Sequence, residues 1–207
     1  MIKAVEKIVA YVKDIWKNES NRTIIKDVAL LSVATIVFHF IYWTSDMSAW
    51  IFGAYTNDVY DFFKIIAFKG SNIMLKNLTD ISYYIGGTTY YFYDLLPNGD
   101  KSVVSTMEVS VDCSGVKQLL QFLLIMVLCR GVWWGKGVYF LIGSVSILFF
   151  NAVRIFVLTY VFAANPDIFQ SIHDWIARPM MYMVIFMLWL VWIEYLAKRQ
   201  KKTKPQG

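Results

Sequence analysis

Residues 110–126 read SVDCSGVKQLLQFLLIM and join three features in one short stretch. A run that alternates apolar and polar residues ends at Asp112, a cysteine follows at Cys113, and an apolar run continues to about Cys129. The alternation has the period of a β-strand, whereas the apolar run has the length of a membrane helix. The stretch therefore predicts a strand that delivers the chain to a cysteine at the mouth of an apolar helix.

The composition indicates a membrane protein. Of the 207 residues, 57% are hydrophobic, whereas a soluble domain is roughly 45–50% apolar. The net charge of +5 could suggest a nucleic-acid-binding protein, but thirteen of the 20 Lys and Arg lie in residues 3–26, 130–136 and 198–204. These segments flank apolar runs, where positive charge indicates which end of a membrane span lies in the cytoplasm. We therefore expect no nucleic-acid partner.

Four apolar runs are long enough to approach the bilayer thickness of about 30 Å. We predict an all-α polytopic membrane protein that forms a single integral membrane domain over residues 1–207. Its transmembrane helices are predicted at 28–43, 113–129, 138–163 and 179–197. Amphipathic interfacial helices and a small β-hairpin on the outer face before the cysteine complete the prediction.

The basic residues also predict the orientation. Residues 1–27 alternate apolar and charged positions at helical spacing, which is typical of an amphipathic helix on the cytoplasmic face. The turn at 130–136 and the basic tail 198–207 are assigned to the same side, because positive charge is retained in the cytoplasm. Both termini are therefore expected inside, and Cys113 is expected at the outer face.

The segment between the first two predicted spans is more polar. Asn57, Asp58 and Asp61 make residues 49–86 too polar to cross lipid easily, so we predict outer amphipathic helices at roughly 49–68 and 71–85. One further hairpin of crossings is the alternative. Residues 88–112 predict a β-hairpin, since two β-rich runs flank the turn signal Asn98-Gly99.

The two cysteines are predicted to differ in role. Sixteen residues of helix between Cys113 and Cys129 span about 24 Å, whereas a disulfide needs Cα atoms within about 7 Å. No spacing suits a metal site, and we expect neither metal nor cofactor. Cys129 is interpreted as small apolar filler. Cys113 stands where strand becomes helix, where free N–H groups favour the reactive thiolate.

Two cationic groups are candidates to accompany this thiolate. Asn151 and Arg154 lie three apart on one face of the third span, and a guanidinium inside an apolar helix normally faces a partner or a cavity. A structural ion pair or a snorkelling side chain is the alternative. His173 follows the helix start Asn165-Pro166 and can face the Cys113 helix, or it is an interfacial residue.

Polar side chains also share one side of the second span. They are Ser114, Lys117, Gln118 and Gln121. They are expected to face the interior of the helix bundle, where they line the site or bond neighbouring helices.

Three motifs together resemble one known family. Asp112-Cys113-Ser114-Gly115, then Asn151-Ala-Val-Arg154, then His173 before a final span with a basic tail resemble the exosortase/archaeosortase family over roughly residues 80–197. Its members are membrane-embedded, sortase-like cysteine transpeptidases of bacteria and archaea. The resemblance implies Cys113 as nucleophile, with Arg154 and His173 completing the site. The supporting residues are Ser114, Gly115, Asn151 and Gln118.

The resemblance also implies a function and a location. The expected substrates are secreted proteins that carry a C-terminal motif, a transmembrane helix and a basic tail. They would be cleaved through a cysteine thioester and transferred to an unknown acceptor. The expected location is the prokaryotic cytoplasmic (inner) membrane, with lipid around the protein and the site facing outward.

A non-enzymatic membrane assembly factor or chaperone is the alternative. In that case Cys113 would be a packing residue, Arg154 an ion-pair anchor and His173 an interfacial residue.

Overall fold

The computed structural model describes residues 19–45, 47–96 and 99–203, which divide into two compact units, residues 1–47 and 48–207. Among the described residues of the first unit, helix α1 (Glu19–Thr44) contains the predicted span 28–43. Its hydroxyl groups bond back to its own carbonyls, as Ser32 Oγ does to Val28 O at 2.9 Å, which is how polar groups are satisfied in lipid. Most of the predicted cytoplasmic helix 1–27 lies outside the described residues.

In chain order the second unit has helices before and after a small sheet, and its first helix starts at the boundary residue Met47. The elements are α2 (Met47–Phe52), a 3₁₀ turn (Gly53–Tyr55), α3 (Thr56–Leu78), β1 (Tyr83–Gly86), β2 (Thr89–Leu95), β3 (Lys101–Glu108), a 3₁₀ turn (Val111–Cys113), α4 (Val116–Leu128), α5 (Trp133–Ala164), α6 (Pro166–Ile172), a π-helical turn (His173–Ala177) and α7 (Arg178–Thr203).

Two described helical stretches are long and apolar enough to cross a membrane. They are Trp133–Ala164 and Pro166–Tyr195, and the helices within 26–42 and 47–78 pass the same test only as one broken pair. The protein is therefore a helical membrane protein with two or three candidate spans, and the predicted count of four is not confirmed. The predicted span 113–129 contains only the 13 residues of α4, which measure about 20 Å, less than the hydrocarbon thickness.

The prediction for residues 49–86 was wrong. A single helix, α3, runs through Gly70 without a break, and residues 83–86 form a strand instead of a second helix. Gly70 is needed for close packing, because a Cβ atom there would lie 2.8 Å from Cβ of Ala152 on α5. A glycine that looks like a helix boundary in the sequence is therefore a contact point between helices.

The predicted hairpin region holds two strands of a three-stranded antiparallel sheet with the order β1-β2-β3. Gly99 takes a positive φ of 87° between β2 and β3, while Pro97 and Asn98 lie outside the described residues. The third strand, β1, was not predicted; it pairs with β2 and places Tyr83 opposite Phe92. The sheet thus begins earlier than the sequence pattern predicts.

The sheet packs against α3 and α5. Tyr90 is fully buried, and its hydroxyl lies 2.7 Å from Ser71 Oγ on α3. Burial raises the pKa of Tyr90 to about 12, although the Ser71 hydrogen bond acts in the opposite direction. Cys113 is partly buried and packs against the same core, which also contains Ile155 of α5 and Val109 after β3. This core fixes the end of the sheet from which the chain reaches the cysteine.

Candidate active site

Cys113 ends the 3₁₀ turn and does not begin the next helix, which corrects the predicted start at residue 113. Gly115 separates the two elements with a φ of +87°, a conformation that favours glycine. The first N–H of α4, from Val116, donates to Oγ of Ser114 at 3.4 Å. The hydroxyl group of Ser114 therefore satisfies the first N–H of α4. On the 3₁₀ turn itself, Ser110 Oγ lies 3.7 Å from the Cys113 sulfur and can donate to it.

Asn151 connects this turn to α5. Its side chain is fully buried, and Nδ2 donates to the backbone oxygen of Cys113 at 2.8 Å. Its Oδ1 accepts from Nη1 of Arg154 at 3.4 Å. A Cβ at position 115 would lie 3.0 Å from Asn151 Nδ2, so Gly115 also allows this close approach. Asn151 thus positions both the backbone of Cys113 and the guanidinium group.

Arg154 is the centre of the cluster. Its side chain is 5% exposed, and its Nη2 lies 4.0 Å from Sγ of Cys113 and 3.4 Å from Nε2 of His173. Its Nε has no hydrogen-bond partner among the described residues. The ion pairs of this part of the chain do not include Arg154. Among the described residues the guanidinium therefore contacts a thiol and an imidazole and forms no ion pair with a carboxylate.

His173 begins the π-helical turn, and its ring is largely buried. Nδ1 lies 2.9 Å from Oδ1 of Asp174, and Phe169 stacks on the ring with centroids 5.9 Å apart. The helix before it starts as the sequence predicts, because Asn165 Oδ1 accepts from the N–H of Asp167 at 3.1 Å with Pro166 in the first turn. The short helix α6 thereby presents His173 to α5.

Three residues near His173 were missed by the sequence analysis. Oδ2 of Asp174 accepts from Gln170 Nε2 at 2.7 Å, and Oδ1 lies 3.1 Å from Nη1 of Arg178. Residues 170, 174 and 178 are spaced four apart, which places them on one helix face, and this spacing was the available signal.

The structure therefore brings six predicted site residues together. They are Cys113, Ser114, Gly115, Asn151, Arg154 and His173. Gln118 is different, because no hydrogen bond in the described part of the chain joins it to this cluster, and its Oε1 is buried without a partner. Among the described residues no group of three His, Cys, Asp or Glu side chains could hold a metal ion.

The fold and this cluster define a helical membrane protein in which a guanidinium group contacts both a cysteine and an imidazole. A family model described as transmembrane exosortase matches residues 28–192, which is most of the chain. The protein belongs to this family of transmembrane exosortases, and the resemblance seen in the sequence is confirmed. Membership implies a membrane cysteine transpeptidase in general terms. No curated protein and no solved structure matches the chain.

Proposed function

We propose that the protein cleaves a C-terminal sorting signal from secreted proteins and transfers them to an acceptor through a thioester on Cys113. The observation that carries this proposal is the position of Arg154 Nη2, which contacts both the Cys113 sulfur and the His173 imidazole. A buried guanidinium without a carboxylate partner is costly in an apolar helix. Its contacts with a thiol and an imidazole fit a group that stabilises negative charge on sulfur. They fit a structural ion pair less well, because such a pair needs a carboxylate.

The first half of the reaction forms the thioester. The thiol proton passes to Nε2 of His173 as Arg154 Nη2 turns from that nitrogen towards the substrate carbonyl oxygen, and the sulfur attacks the carbonyl carbon of the scissile peptide bond. Negative charge then develops on the carbonyl oxygen beside Arg154, where one oriented donor contributes about 2.7–4 kcal/mol. The C–N bond breaks as His173 returns the proton to the leaving amine.

The second half releases the product. An incoming amine or water loses a proton to His173 and attacks the thioester carbon, and the C–S bond breaks to restore the cysteine. An amine gives transfer and water gives hydrolysis. Asn151 supports both halves, since it holds the backbone of Cys113 and the guanidinium in fixed relative positions.

The substrates and the orientation are part of the proposal. A substrate with its own C-terminal apolar helix would share the bilayer with this protein, which raises the effective concentration of the scissile bond at the site. Basic residues at 198–204 favour a cytoplasmic C-terminus, with the site facing the outer side.

Cleavage is tested by the intact mass of a candidate substrate from the same cells, one that ends in a short motif, an apolar helix and basic residues. Cells would carry wild-type protein, Cys113→Ala or the control Cys129→Ala, which changes the other cysteine. We expect a shortened substrate with wild type and Cys129→Ala, and a full-length one with Cys113→Ala. Added mass at the new C-terminus identifies the acceptor. Equal shortening with Cys113→Ala, at equal protein levels, would favour the assembly-factor alternative.

A further inference from the structure

The imidazole of His173 is held from two sides by groups with fixed hydrogen-bonding roles. Arg154 Nη2 lies 3.4 Å from Nε2, and because a guanidinium only donates, Nε2 must accept. Nδ1 lies 2.9 Å from Oδ1 of Asp174, and because an ionised carboxylate only accepts, Nδ1 must carry the proton. The two contacts therefore require the same neutral tautomer of His173.

The carboxylate of Asp174 is itself fixed by two other donors. Gln170 Nε2 donates to Oδ2 at 2.7 Å, and Arg178 Nη1 lies 3.1 Å from Oδ1. Its position therefore does not depend on the imidazole that it contacts.

The backbone around His173 adds a further constraint. Residues His173–Ala177 form a π-helical turn, a rare geometry that occurs frequently at functional sites. Phe169 stacks on the ring with an interplanar angle of 20°, so the ring is also held on its face. Ring orientation and tautomer are therefore set by Phe169 and Asp174 together with Arg154 of α5.

We propose that Asp174 is a positioning residue that holds His173 as the Nδ1–H tautomer, so that the lone pair of Nε2 faces the Arg154–Cys113 side of the site. The consequence for the reaction rests on the proposed function. Besides Asp174, the ring contacts Arg154 of α5, which also contacts Cys113, while Arg178 of α7 reaches it through Asp174. Tyr182 of α7 interacts with both arginines, and Lys117 of α4 interacts with Arg178. The Asp174 carboxylate stabilises the imidazolium that forms when Nε2 takes a proton during the reaction.

The tautomer is measured without any substrate. Full-length protein carrying His39→Gln is labelled with ¹⁵N-histidine in detergent, so that His173 is the only histidine that gives an NMR signal. The wild-type site is expected to show a protonated Nδ1 and an unprotonated Nε2 in the neutral ring. Asp174→Ala should raise the fraction of the Nε2–H tautomer, because Arg154 alone then opposes it across 3.4 Å. The control Asp167→Ala removes a carboxylate from the same segment and should leave the spectrum unchanged.

Substrate processing supplies the second readout. Asp174→Ala is expected to slow processing by about 10²-fold, a low value for the loss of a positioned acid–base group. Asp174→Asn keeps the size of the side chain and guards against misfolding. It should move the acidic limb of the pH–rate profile to lower pH, since a neutral amide stabilises the imidazolium less.

The Cys113 and Asp174 variants separate an error in the role of Asp174 from an error in the role of Cys113. If Cys113→Ala abolishes processing but the Asp174 variants change neither the tautomer nor the pH–rate profile, the positioning role is wrong and the proposed function stands. If Cys113→Ala has no effect on processing, the proposed function fails, while the tautomer measurement still decides whether Asp174 fixes the ring.

Discussion

Replacement of Arg154 by lysine separates positive charge from geometry at the centre of the site. The guanidinium uses two nitrogens for three partners, with Nη1 bonded to Asn151 and Nη2 shared between Cys113 and His173. A lysine retains one positive charge but loses the planar fork, and its single ammonium group cannot occupy both nitrogen positions. Arg154→Lys should therefore lose the oriented donor while keeping the local charge.

The size of the effect follows from the role assigned to this donor. Loss of one oriented group that stabilises a developing oxyanion costs about 2.7–4 kcal/mol, which corresponds to a rate lower by about 10²–10³-fold. The assay is the initial rate of substrate shortening, followed by intact mass at equal amounts of folded enzyme. Arg130→Lys is the matched control, because Arg130 is exposed and its backbone oxygen accepts from Trp192 Nε1.

The outcome is decisive in both directions. A rate within about threefold of wild type for Arg154→Lys would refute the requirement for a planar donor, because that change corresponds to less than about 1 kcal/mol. Equal loss of rate in Arg130→Lys would refute the assignment of the effect to the site.

Three further substitutions test the supporting structure. Gly115→Ala should lower the free energy of unfolding by about 1–2 kcal/mol in thermal or denaturant unfolding, because φ is +87° and the new Cβ would lie 3.0 Å from Asn151 Nδ2. An unchanged stability would contradict that strain. Tyr90→Phe should reduce the loss of stability that the protein shows between pH 10 and about pH 12. In this range the raised pKa keeps Tyr90 protonated in the folded protein, whereas in the unfolded chain the tyrosine ionises with its ordinary pKa of 10.0. The stabilising contribution is thus complete below pH 10 and declines above it, and an identical pH dependence in the variant would exclude Tyr90 as the cause. Gln118→Leu should leave the processing rate within about twofold and not lower stability, since its buried Oε1 has no partner to lose; a large fall in rate would show contact with substrate.

The residues that the structure brings together at the candidate site could be singled out from the sequence because each departs from what its surroundings favour. Arg154 is a cation in an apolar helix, and Cys113 stands between a strand pattern and a helix pattern. Such local conflicts indicate candidate functional residues without knowledge of the tertiary structure. The helix start at Pro166 could be predicted for a different reason, since Asn165 is a local cap whose partner is only two residues away.

The features that were missed depend on distant contacts. Gly70 resembles a helix end in the sequence, yet its function is contact with Ala152, more than eighty positions further along the chain. The start of α4 was placed too early because the positive φ of Gly115 depends on the packing of Asn151. Asp174 is a different case, because its partners are local: Gln170 and Arg178 lie four residues away on either side, and this spacing was visible in the sequence but was not used.

The most direct test of the central claim is the mass of Cys113 itself during turnover. Protein mixed with a processed substrate, quenched in acid and digested, should yield a Cys113 peptide that carries the N-terminal part of the substrate as a thioester, released by hydroxylamine. The Cys129 peptide should remain unmodified. Processing that continues while Cys113 carries no adduct, or continues in Cys113→Ala, would contradict the account.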